Sequence, residues 1–360
     1  MIFKGKKITL ETVGGSHDEK ITLTIKGLPQ NQKLDENKIK KELEKRKSEL
    51  FFNTPRKEED KYIIKKGIKN YTITENEIVV EFYNNKQNSS TYINQKGFLR
   101  PNHADYTNLL LNNEVVPGGG EYSGRMTLPM CFVGSIAKQI LENKHKTTIK
   151  SRIASVYNLK DKKLTQNNMT LLKNIEENNF PCLTEKFKEK ALELIKNTKE
   201  EKDSVGGTIE TVVFNPPKGV GNPLFDGLDN YISHLIFSIP AVKGIEFGDG
   251  FVLASKKGSE IQDSFYKEGD TIKTKENHMG GINGGVSNGM PIIVRTAIKP
   301  TPTIEKPTTS YDYIEKIEKT IEFKGMHDCF IANRAIPAIE GMIALAILDL
   351  EKWKNTKQDL

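Results

Sequence analysis

Two hydrophobic periods alternate along the chain and predict its elements. Segments with β-branched or alternating apolar residues indicate strands. The candidate strands lie at 7–13, 21–25, 77–82, 207–213, 251–255 and 291–298. Apolar stripes at helical spacing indicate helices. The candidate helices lie at 36–50, 127–141, 185–196, 228–237 and 337–353, with Asp35 as a possible N-cap of the first.

The segments between these elements, and the mixture of strands and helices, indicate the architecture. Residues 56–96 and 256–277 are polar and are expected to form surface excursions. No Pro/Ser-rich linker or low-complexity tail divides the chain, so one domain over residues 1–360 is expected. Hairpin-like strands mixed with long helices predict an α+β layered fold.

Composition and cysteine use narrow the class of protein. Of 360 residues, 36% are hydrophobic and 28% are charged, which is enough apolar material for a packed core. We expect no transmembrane helix and no signal peptide, because no long apolar run is present. Cys131, Cys182 and Cys329 lack CxxC spacing, which argues against disulfides or zinc and fits a cytoplasmic location.

The excess of basic residues comes mostly from lysines that are dispersed along the chain. The net charge is +7, yet only seven of the 54 basic residues are arginine. Dispersed lysine usually forms a solvated surface, whereas a nucleic-acid site would need a basic stripe interleaved with aromatic residues. We see no such stripe and expect no nucleic-acid partner.

Glycine, histidine and arginine cluster together. Glycines form blocks at 14–15, 118–124, 206–207 and 280–289, which could be tight turns or backbone donors for a ligand. His17 and His103 lie in VGGSHD and FLRPNHADYT, while His278 and His327 lie in ENHMGG and KGMHDC. Neither HxxxH nor HExxH spacing occurs, so no metal site is expected. Arginines beside these blocks predict a pocket for a small phosphate or carboxylate anion.

A series of motifs carries a family resemblance over nearly the whole chain. In order they are GGSHD (14–18), TPR (54–56), FLRPNHADYT (98–107), GGGEYSGRMT (118–127), DSVGG (203–207), FDGLDNYISHLIFSIPAVKGIEFGDGF (225–251), GSEIQD (258–263), NHMGGINGGVSNGMPIIVR (277–295), KPTPTI (299–304) and MHDCFIANRAIP (326–337). In order and spacing they resemble the chorismate synthases.

The resemblance implies a fold and a reaction. The family fold is a β-α-β sandwich with pseudo-symmetric halves and antiparallel sheets flanking helices, and the usual assembly is a homotetramer. The implied reaction is a lyase step, the 1,4-anti elimination of phosphate from 5-enolpyruvylshikimate 3-phosphate to give chorismate. The family uses reduced FMN without net redox change. The expected partner is thus a small anionic substrate, with no membrane or nucleic acid.

The resemblance also implies site residues. His17 occupies the place of the histidine near the leaving phosphate, His103 that of the histidine that protonates reduced flavin, and Asp328 that of the proton-relaying aspartate. The positions matching substrate contacts are Ser16, Arg46, Arg100, Arg125 and Arg334. The positions matching flavin contacts are Ser123, Gly124, Arg125, Asn277, Met279, Gly280, Gly281, Lys299 and Thr303.

Several family positions are changed. The family motifs GESHG, RPGHAD, GGGRSSARET and GRHDPC correspond here to GGSHD, RPNHAD, GGGEYSGRMT and GMHDC. An acid is therefore lost at Gly15 and at Met126, and an arginine is lost at Glu121 and at Met326. Each charge-assisted hydrogen bond contributes about 1.5–3 kcal/mol, so the two arginines matter most for substrate affinity.

Three readings stay open at this stage. The chain could be an active chorismate synthase, an FMN-binding paralogue with another anionic substrate, or an inactive relative that retains the fold. The sequence has no GxGxxG motif in a strand-turn-helix context, so we expect no built-in NADP-binding domain. An external flavin reductase or a reducing environment is therefore expected to reduce the flavin.

Overall fold

The protein is built from two antiparallel five-stranded sheets and a layer of helices. The structure, a computed structural model, describes residues 1–54, 60–84, 97–175, 178–323 and 327–358. The strands are β1 Ile2–Lys4, β2 Thr9–Val13, β3 Lys20–Lys26, β4 Tyr62–Lys66, β5 Ile68–Lys69, β6 Thr72–Ile73, β7 Glu77–Tyr83, β8 Thr148–Val156, β9 Leu159–Lys160, β10 Gly207–Phe214, β11 Val242–Phe247, β12 Phe265–Glu268, β13 Thr271–Thr274, β14 Ile282–Asn283, β15 Val286–Ser287, β16 Ile292–Ile298, β17 Thr308–Asp312 and β18 Ile317–Ile321.

The helices connect and cover these strands. The α-helices are α1 Glu36–Glu44, α2 Asp105–Asn112, α3 Thr127–His145, α4 Met169–Lys173, α5 Glu185–Glu200, α6 Leu228–Phe237 and α7 Ala332–Gln358. The 3₁₀ helices are Pro117–Tyr122, Gly124–Met126, Gln166–Asn168, Leu224–Asp226, Gly250–Ser255 and Gly258–Glu260.

Each half of the chain supplies one sheet. The first has the order β1-β2-β3-β7-β4 and the second β11-β16-β10-β8-β9, and the recorded strand pairs within both are antiparallel. Helix α3 contacts both sheets, whereas α7 contacts the second sheet and packs along α3. The fold class predicted from the sequence, α+β with antiparallel sheets flanking helices, is confirmed.

The two longest core helices approach each other at a pair of glycines. A Cβ added at Gly134 would lie 2.3 Å from the Cα of Gly341, which is far inside van der Waals contact. The helix backbones can therefore pack closely only because neither position has a side chain. This close packing fixes the start of α7, from which several site residues project.

The second sheet is tied together by a row of charged side chains. Arg152 Nε lies 2.8 Å from Glu210 Oε2, and Arg295 Nε lies 2.6 Å from Glu246 Oε1. Glu210 pairs in register with both arginines, on β8 and β16. Opposite charges placed directly across neighbouring strands stabilise this register.

Most predicted elements are confirmed, with shifted ends. Helix 228–237 has the predicted bounds, and Asp35 caps α1 by accepting from Asn37 N at 2.8 Å. Helix α1 ends at Glu44 instead of residue 50, which lets Arg46 turn toward buried partners. Helix α7 begins five residues before Pro337. The helix tolerates this proline because a proline within the first turns disrupts a helix less than one in its middle.

One predicted strand is wrong. Residues 251–255 belong to the 3₁₀ helix Gly250–Ser255. Gly248 and Gly250 have φ of +58° and +55°, which turn the chain sharply, and Glu246 accepts a hydrogen bond from Phe251 N at 2.9 Å. Most apolar side chains in this segment are exposed instead of buried; Phe251, for example, is 84% exposed.

The two predicted surface excursions have different outcomes. Within 56–96, the described residues form β4 and β7 of the first sheet, and β7 lies between β3 and β4. Residues 256–277 do form an exposed hairpin, β12–β13. The lysine and asparagine content of the first segment hid the alternation of Tyr62–Lys66.

Three further findings concern the described residues as a whole. None of the helices there combines the length and apolar character needed to cross a bilayer. All three cysteines are free. In the same ranges, no group of three or more His, Cys, Asp or Glu side chains could hold a metal ion.

Candidate active site

The glycine block at 117–122 joins the two histidine motifs. Gly119 has φ of +88°, and a Cβ there would lie 3.0 Å from His103 Cε1. The next residue, Gly120, accepts a hydrogen bond from Ser16 N at 3.3 Å. The block thus serves as a close-approach turn between the His17 loop and the His103 loop.

The His17 loop is closed by its own aspartate. Asp18 Oδ2 accepts from Gly15 N at 2.6 Å, and Asn84 Nδ2 donates to the carbonyl oxygens of Gly15 and Asp18. Ser16 is buried, whereas His17 is exposed. The acid that follows His17 therefore shapes the loop and presents the imidazole to solvent.

Two predicted arginines share one buried carboxylate. Asp60 accepts from Arg46 Nη1 at 2.7 Å, and its other oxygen accepts from Arg125 Nη1. Arg46 Nε also donates to Thr127 Oγ1 at 3.0 Å, and Arg125 Nε to Asn84 Oδ1 at 3.0 Å. Among the described residues, the two guanidinium groups share this one carboxylate, an arrangement that favours the binding of an anion.

His103 belongs to a triad with Arg100 and Asp105. Its Nδ1 lies 3.0 Å from Asp105 Oδ1 and 3.2 Å from Arg100 Nη2. Arg100 in turn grips both oxygens of Asp105, at 2.6 and 2.8 Å. Burial would raise the pKa of Asp105, but the hydrogen bonds from Arg100 and His103 outweigh it and hold that pKa well below its usual range. Asp105 therefore stays ionised and orients the imidazole.

The departure at Asn102 has a local explanation. Asn102 has φ of +59°, in the left-handed region where glycine and asparagine are favoured. The backbone turn that the family motif makes with glycine is thus retained. The carbonyl of Asn102 accepts a hydrogen bond from Lys299 Nζ, which joins the His103 loop to the KPTPTI segment.

The KPTPTI segment lies against residues 204–206. Burial, together with the nearby Lys243 ammonium, lowers the pKa of Lys299. Thr303 is buried, and Thr301 accepts from Ser204 Oγ through its carbonyl at 2.7 Å. The hydroxyl of Thr301 is buried and has no hydrogen-bond partner within the described ranges.

Asp328 is held by the start of α7 and by residues 53–54. Its Oδ1 accepts from Thr54 N at 2.6 Å, and its Oδ2 from Arg334 Nη1 at 3.0 Å. Arg334 also donates to Thr54 Oγ1 and to the carbonyl of Thr54. The bond from Val205 N to Cys329 O, at 2.9 Å, brings this carboxylate next to the segment that packs on KPTPTI.

The glycine loop at 277–281 lies elsewhere in the chain. Ile293 N donates to Gly280 O at 3.2 Å, whereas Lys299 follows the far end of the same strand. Six residues of extended strand span about 20 Å. Asn277 closes the loop by bonding Pro291 O and Gly281 N, and Met279 N donates to Asp263. Within one chain, the structure does not bring Asn277, Met279, Gly280 and Gly281 together with Lys299.

The changed family positions are placed as follows. Met126 packs in the core, so an apolar side chain suits that position. Glu121 is exposed, and its backbone N lies 3.3 Å from the position of a Cβ at Gly15. Met326, like Arg56 of the TPR motif, lies outside the described residues.

Sequence reasoning missed several residues that organise the site. Asp60, Asn84 and Asn53 had no motif to mark them, because their role depends on contacts with residues distant in the chain. Asp105 could have been found, since it lies within the quoted motif FLRPNHADYT. A carboxylate two residues after a histidine is a natural partner for the ring.

The fold is an α+β sandwich, in which the His17 and His103 loops and the paired Arg46 and Arg125 lie near one glycine block. A family model described as chorismate synthase matches residues 8–351. Curated chorismate synthases from Methanococcus aeolicus and Methanobrevibacter smithii are 37% and 38% identical to the chain, each over 96% of it and over 96% and 94% of their own lengths. That of Pyrococcus abyssi is 37% identical, over 96% of both chains.

A solved structure agrees in fold. The crystal structure of a chorismate synthase superposes with a TM-score of 0.75 at 23% identity, over 98% of this chain and 93% of the other. The chain belongs to the chorismate synthase family. It is accordingly a carbon–oxygen lyase by family.

Proposed function

We propose that the chain converts 5-enolpyruvylshikimate 3-phosphate to chorismate and phosphate, with reduced FMN as cofactor. The observation that carries the proposal is the convergence of the His17 loop, His103 and the Arg46–Asp60–Arg125 cluster on the glycine block. In the reaction a ring hydrogen leaves as a proton and the electron pair of its C–H bond forms a new double bond. The existing ring double bond shifts by one position, and the C–O bond to phosphate breaks with its electron pair leaving on the phosphate.

The Arg46–Asp60–Arg125 cluster binds the phosphate group of the substrate. Arg46 and Arg125 are fixed by Asp60, so their geometry is set before the substrate binds. His17, exposed on its closed loop, is placed to donate a proton to the leaving phosphate. Ser16 lies in the same loop and contributes to the substrate side.

His103 has its proton-exchanging atom set by Asp105. With Nδ1–H directed at the ionised carboxylate, Nε2 becomes the basic nitrogen of the neutral ring. This atom lies beside the Gly119 turn, where a Cβ would come within 3.4 Å of it. Proton exchange therefore takes place on the glycine-block side of the imidazole. Arg100 secures Asp105 and is also our proposed contact for the substrate.

The residues present fit an FMN phosphate. Lys299 supplies a cation in a positive environment, Thr303 a hydroxyl, and the buried hydroxyl of Thr301 lacks a partner in the described part of the chain. Ser123 and Gly124 of the glycine block would contribute further contacts. When bound, reduced FMN supplies electron density to the substrate transiently and recovers it. Asp328, held by Thr54 and Arg334, relays a proton beside it.

We infer a homotetramer in the cytoplasm, supplied with reduced flavin from an external reductase or a reducing environment. Large apolar side chains exposed on one chain support burial in an assembly; they include Leu224 at 79%, Phe225 at 90% and Phe251 at 84%. The loop of Asn277 to Gly281 would reach a flavin only as part of such an assembly. The free thiols support a reducing compartment.

Turnover under anaerobic conditions tests the proposal. The purified chain with dithionite-reduced FMN and 5-enolpyruvylshikimate 3-phosphate is expected to form chorismate. Bound FMN without chorismate formation would favour the alternative, a flavin-binding paralogue with another anionic substrate. Failure to bind FMN would contradict both.

Gly119→Ala is expected to disturb His103. The new Cβ would lie 3.0 Å from the imidazole at a φ of +88°, so the backbone is strained and the ring must move. Strain of this kind costs about 1–2 kcal/mol, and we expect kcat to fall by about tenfold. Gly258→Ala is the control, because a Cβ there meets nothing within 4 Å. Equal kcat in both variants would contradict the role of the close approach.

Glu121→Arg is expected to strengthen substrate binding. The backbone of Glu121 lies beside Gly15, which belongs to the loop that carries His17. A carboxylate at this place repels the phosphate group of the substrate. A new charge-assisted hydrogen bond contributes about 1.5–3 kcal/mol, so KM should fall by at least about tenfold. Glu185→Arg makes the same charge change at an exposed helix start and should leave KM unchanged. An unchanged KM in Glu121→Arg would contradict this prediction and place Glu121 outside the substrate's field.

A further inference from the structure

A pair of buried amides stands behind the Asp328 carboxylate. Asn53 Nδ2 lies 2.9 Å from Phe330 O and 3.3 Å from Asp328 Oδ1. Asn333 Nδ2 donates to Asn53 Oδ1 at 2.9 Å. Asn53 and Asn333 are only 7% and 5% exposed. The two amides form a chain that begins on α7 and ends at the carboxylate.

The hydrogen bonds in this chain run in one direction. A backbone carbonyl and an ionised carboxylate only accept, so the NH₂ of Asn53 must point toward both. Its carbonyl oxygen then faces Asn333, which supplies the matching donor. If Asn53 were flipped, its oxygen would face two other oxygens. The two acceptors therefore fix which end of Asn53 meets Asp328, and the donor from Asn333 holds the other end in place.

Asn333 is not arranged as a purely structural amide would be. Its Oδ1 is buried and has no hydrogen-bond partner among the described residues. A buried acceptor left unpaired is destabilising, so its retention calls for an explanation. Its one described side-chain bond is the one that orients Asn53.

We propose that Asn333 is a positioning residue for the reaction, holding the Asp328 carboxylate in its hydrogen-bonded orientation through Asn53. The inference rests on the role assigned to Asp328 under the proposed function. On its other side the carboxylate is fixed by Thr54 N and Arg334. The amide pair adds the remaining donor and keeps the ionised form in one place.

Kinetics of a double-mutant cycle test the route through Asn53. Asn53→Leu and Asn333→Leu are each expected to lower kcat by about tenfold with little change in KM. The double variant should be no slower than Asn53→Leu, because Asn333 acts only through that residue. Additive losses would overturn the proposal. Gln139→Leu is the control, since it removes a buried amide that bonds only Asp35 and Ser135.

A readout independent of turnover keeps this test separate from the proposed function. The Asp328 carboxyl can be followed by ¹³C NMR in aspartate-labelled protein, with Asp328→Asn identifying its signal. Both single variants should change the chemical shift of that signal, since the donor from Asn53 to the carboxylate is lost or displaced. An unchanged signal would overturn the inference even if turnover were absent.

The surroundings of Asp328 make that shift interpretable. The charged groups near this segment in the described chain are Arg334, Lys199 and Asp203, with His327 adjacent. None of them changes in the variants. Should Asn333→Leu fail to fold, Asn333→Ser removes the amide donor with a smaller side chain, and the same change in the signal is expected.

Discussion

Replacing His103 with alanine is expected to lower kcat by about 10²–10⁴-fold, as for loss of a general acid or base. The ring is held by Asp105 and Arg100 and stands against Gly119, so its position in the site is fixed. Anaerobic steady-state kinetics would measure the loss, and thermal unfolding would show that the fold is intact.

His145 provides the matched control for that prediction. It is a histidine that also bonds a carboxylate, Glu351, but it lies at the end of α3 away from the glycine block. His145→Ala should change the melting temperature at most, with kcat retained. If His103→Ala were as active as His145→Ala, the assignment of His103 to proton exchange would be wrong.

Replacing Asp60 with alanine is expected to destabilise the protein by about 3–5 kcal/mol. The carboxylate is 3% exposed and pairs with two arginines that are 10% and 7% exposed, so its loss leaves two buried charges facing each other. Denaturant unfolding would measure the change. Substrate affinity should also fall, because Arg46 and Arg125 lose their fixed orientation.

A surface ion pair supplies the comparison. Asp226 pairs with Lys6, and the two side chains are 27% and 32% exposed. Asp226→Ala should cost no more than about 1 kcal/mol. A similar loss in both variants would mean that the Arg46–Asp60–Arg125 cluster does not behave as a buried network.

The sequence predicts local elements well and their ends less well. Strands such as Ile292–Ile298 carry a β-branched pattern that no helix would bury equally, and they are found as expected. The segment at 251–255 has a similar apolar composition, but Gly248 and Gly250 turn the chain, and the segment forms a 3₁₀ helix. Helix α1 stops early because tertiary contacts of Arg46 outweigh local propensity.

The site residues also fall into two groups: those that motifs mark, and those that only contacts between distant parts of the chain reveal. His17, His103, Arg46, Arg125 and Asp328 are marked by motifs. The structure places the first four near the glycine block, whereas Asp328 contacts residues 53–54 and the start of α7. Their partners depend on contacts across long stretches of chain. Asp60 and Asn53, for example, reach residues 65 and 275 positions away, a separation that no local pattern records.

The most direct measurement is the stoichiometry of a single anaerobic reaction. Purified protein with reduced FMN and 5-enolpyruvylshikimate 3-phosphate would be followed for phosphate, chorismate and flavin absorbance together. The account predicts equal amounts of phosphate and chorismate, many turnovers per flavin, and a flavin that is still reduced at the end. Bound flavin with no phosphate release, or flavin oxidised in proportion to product, would contradict it.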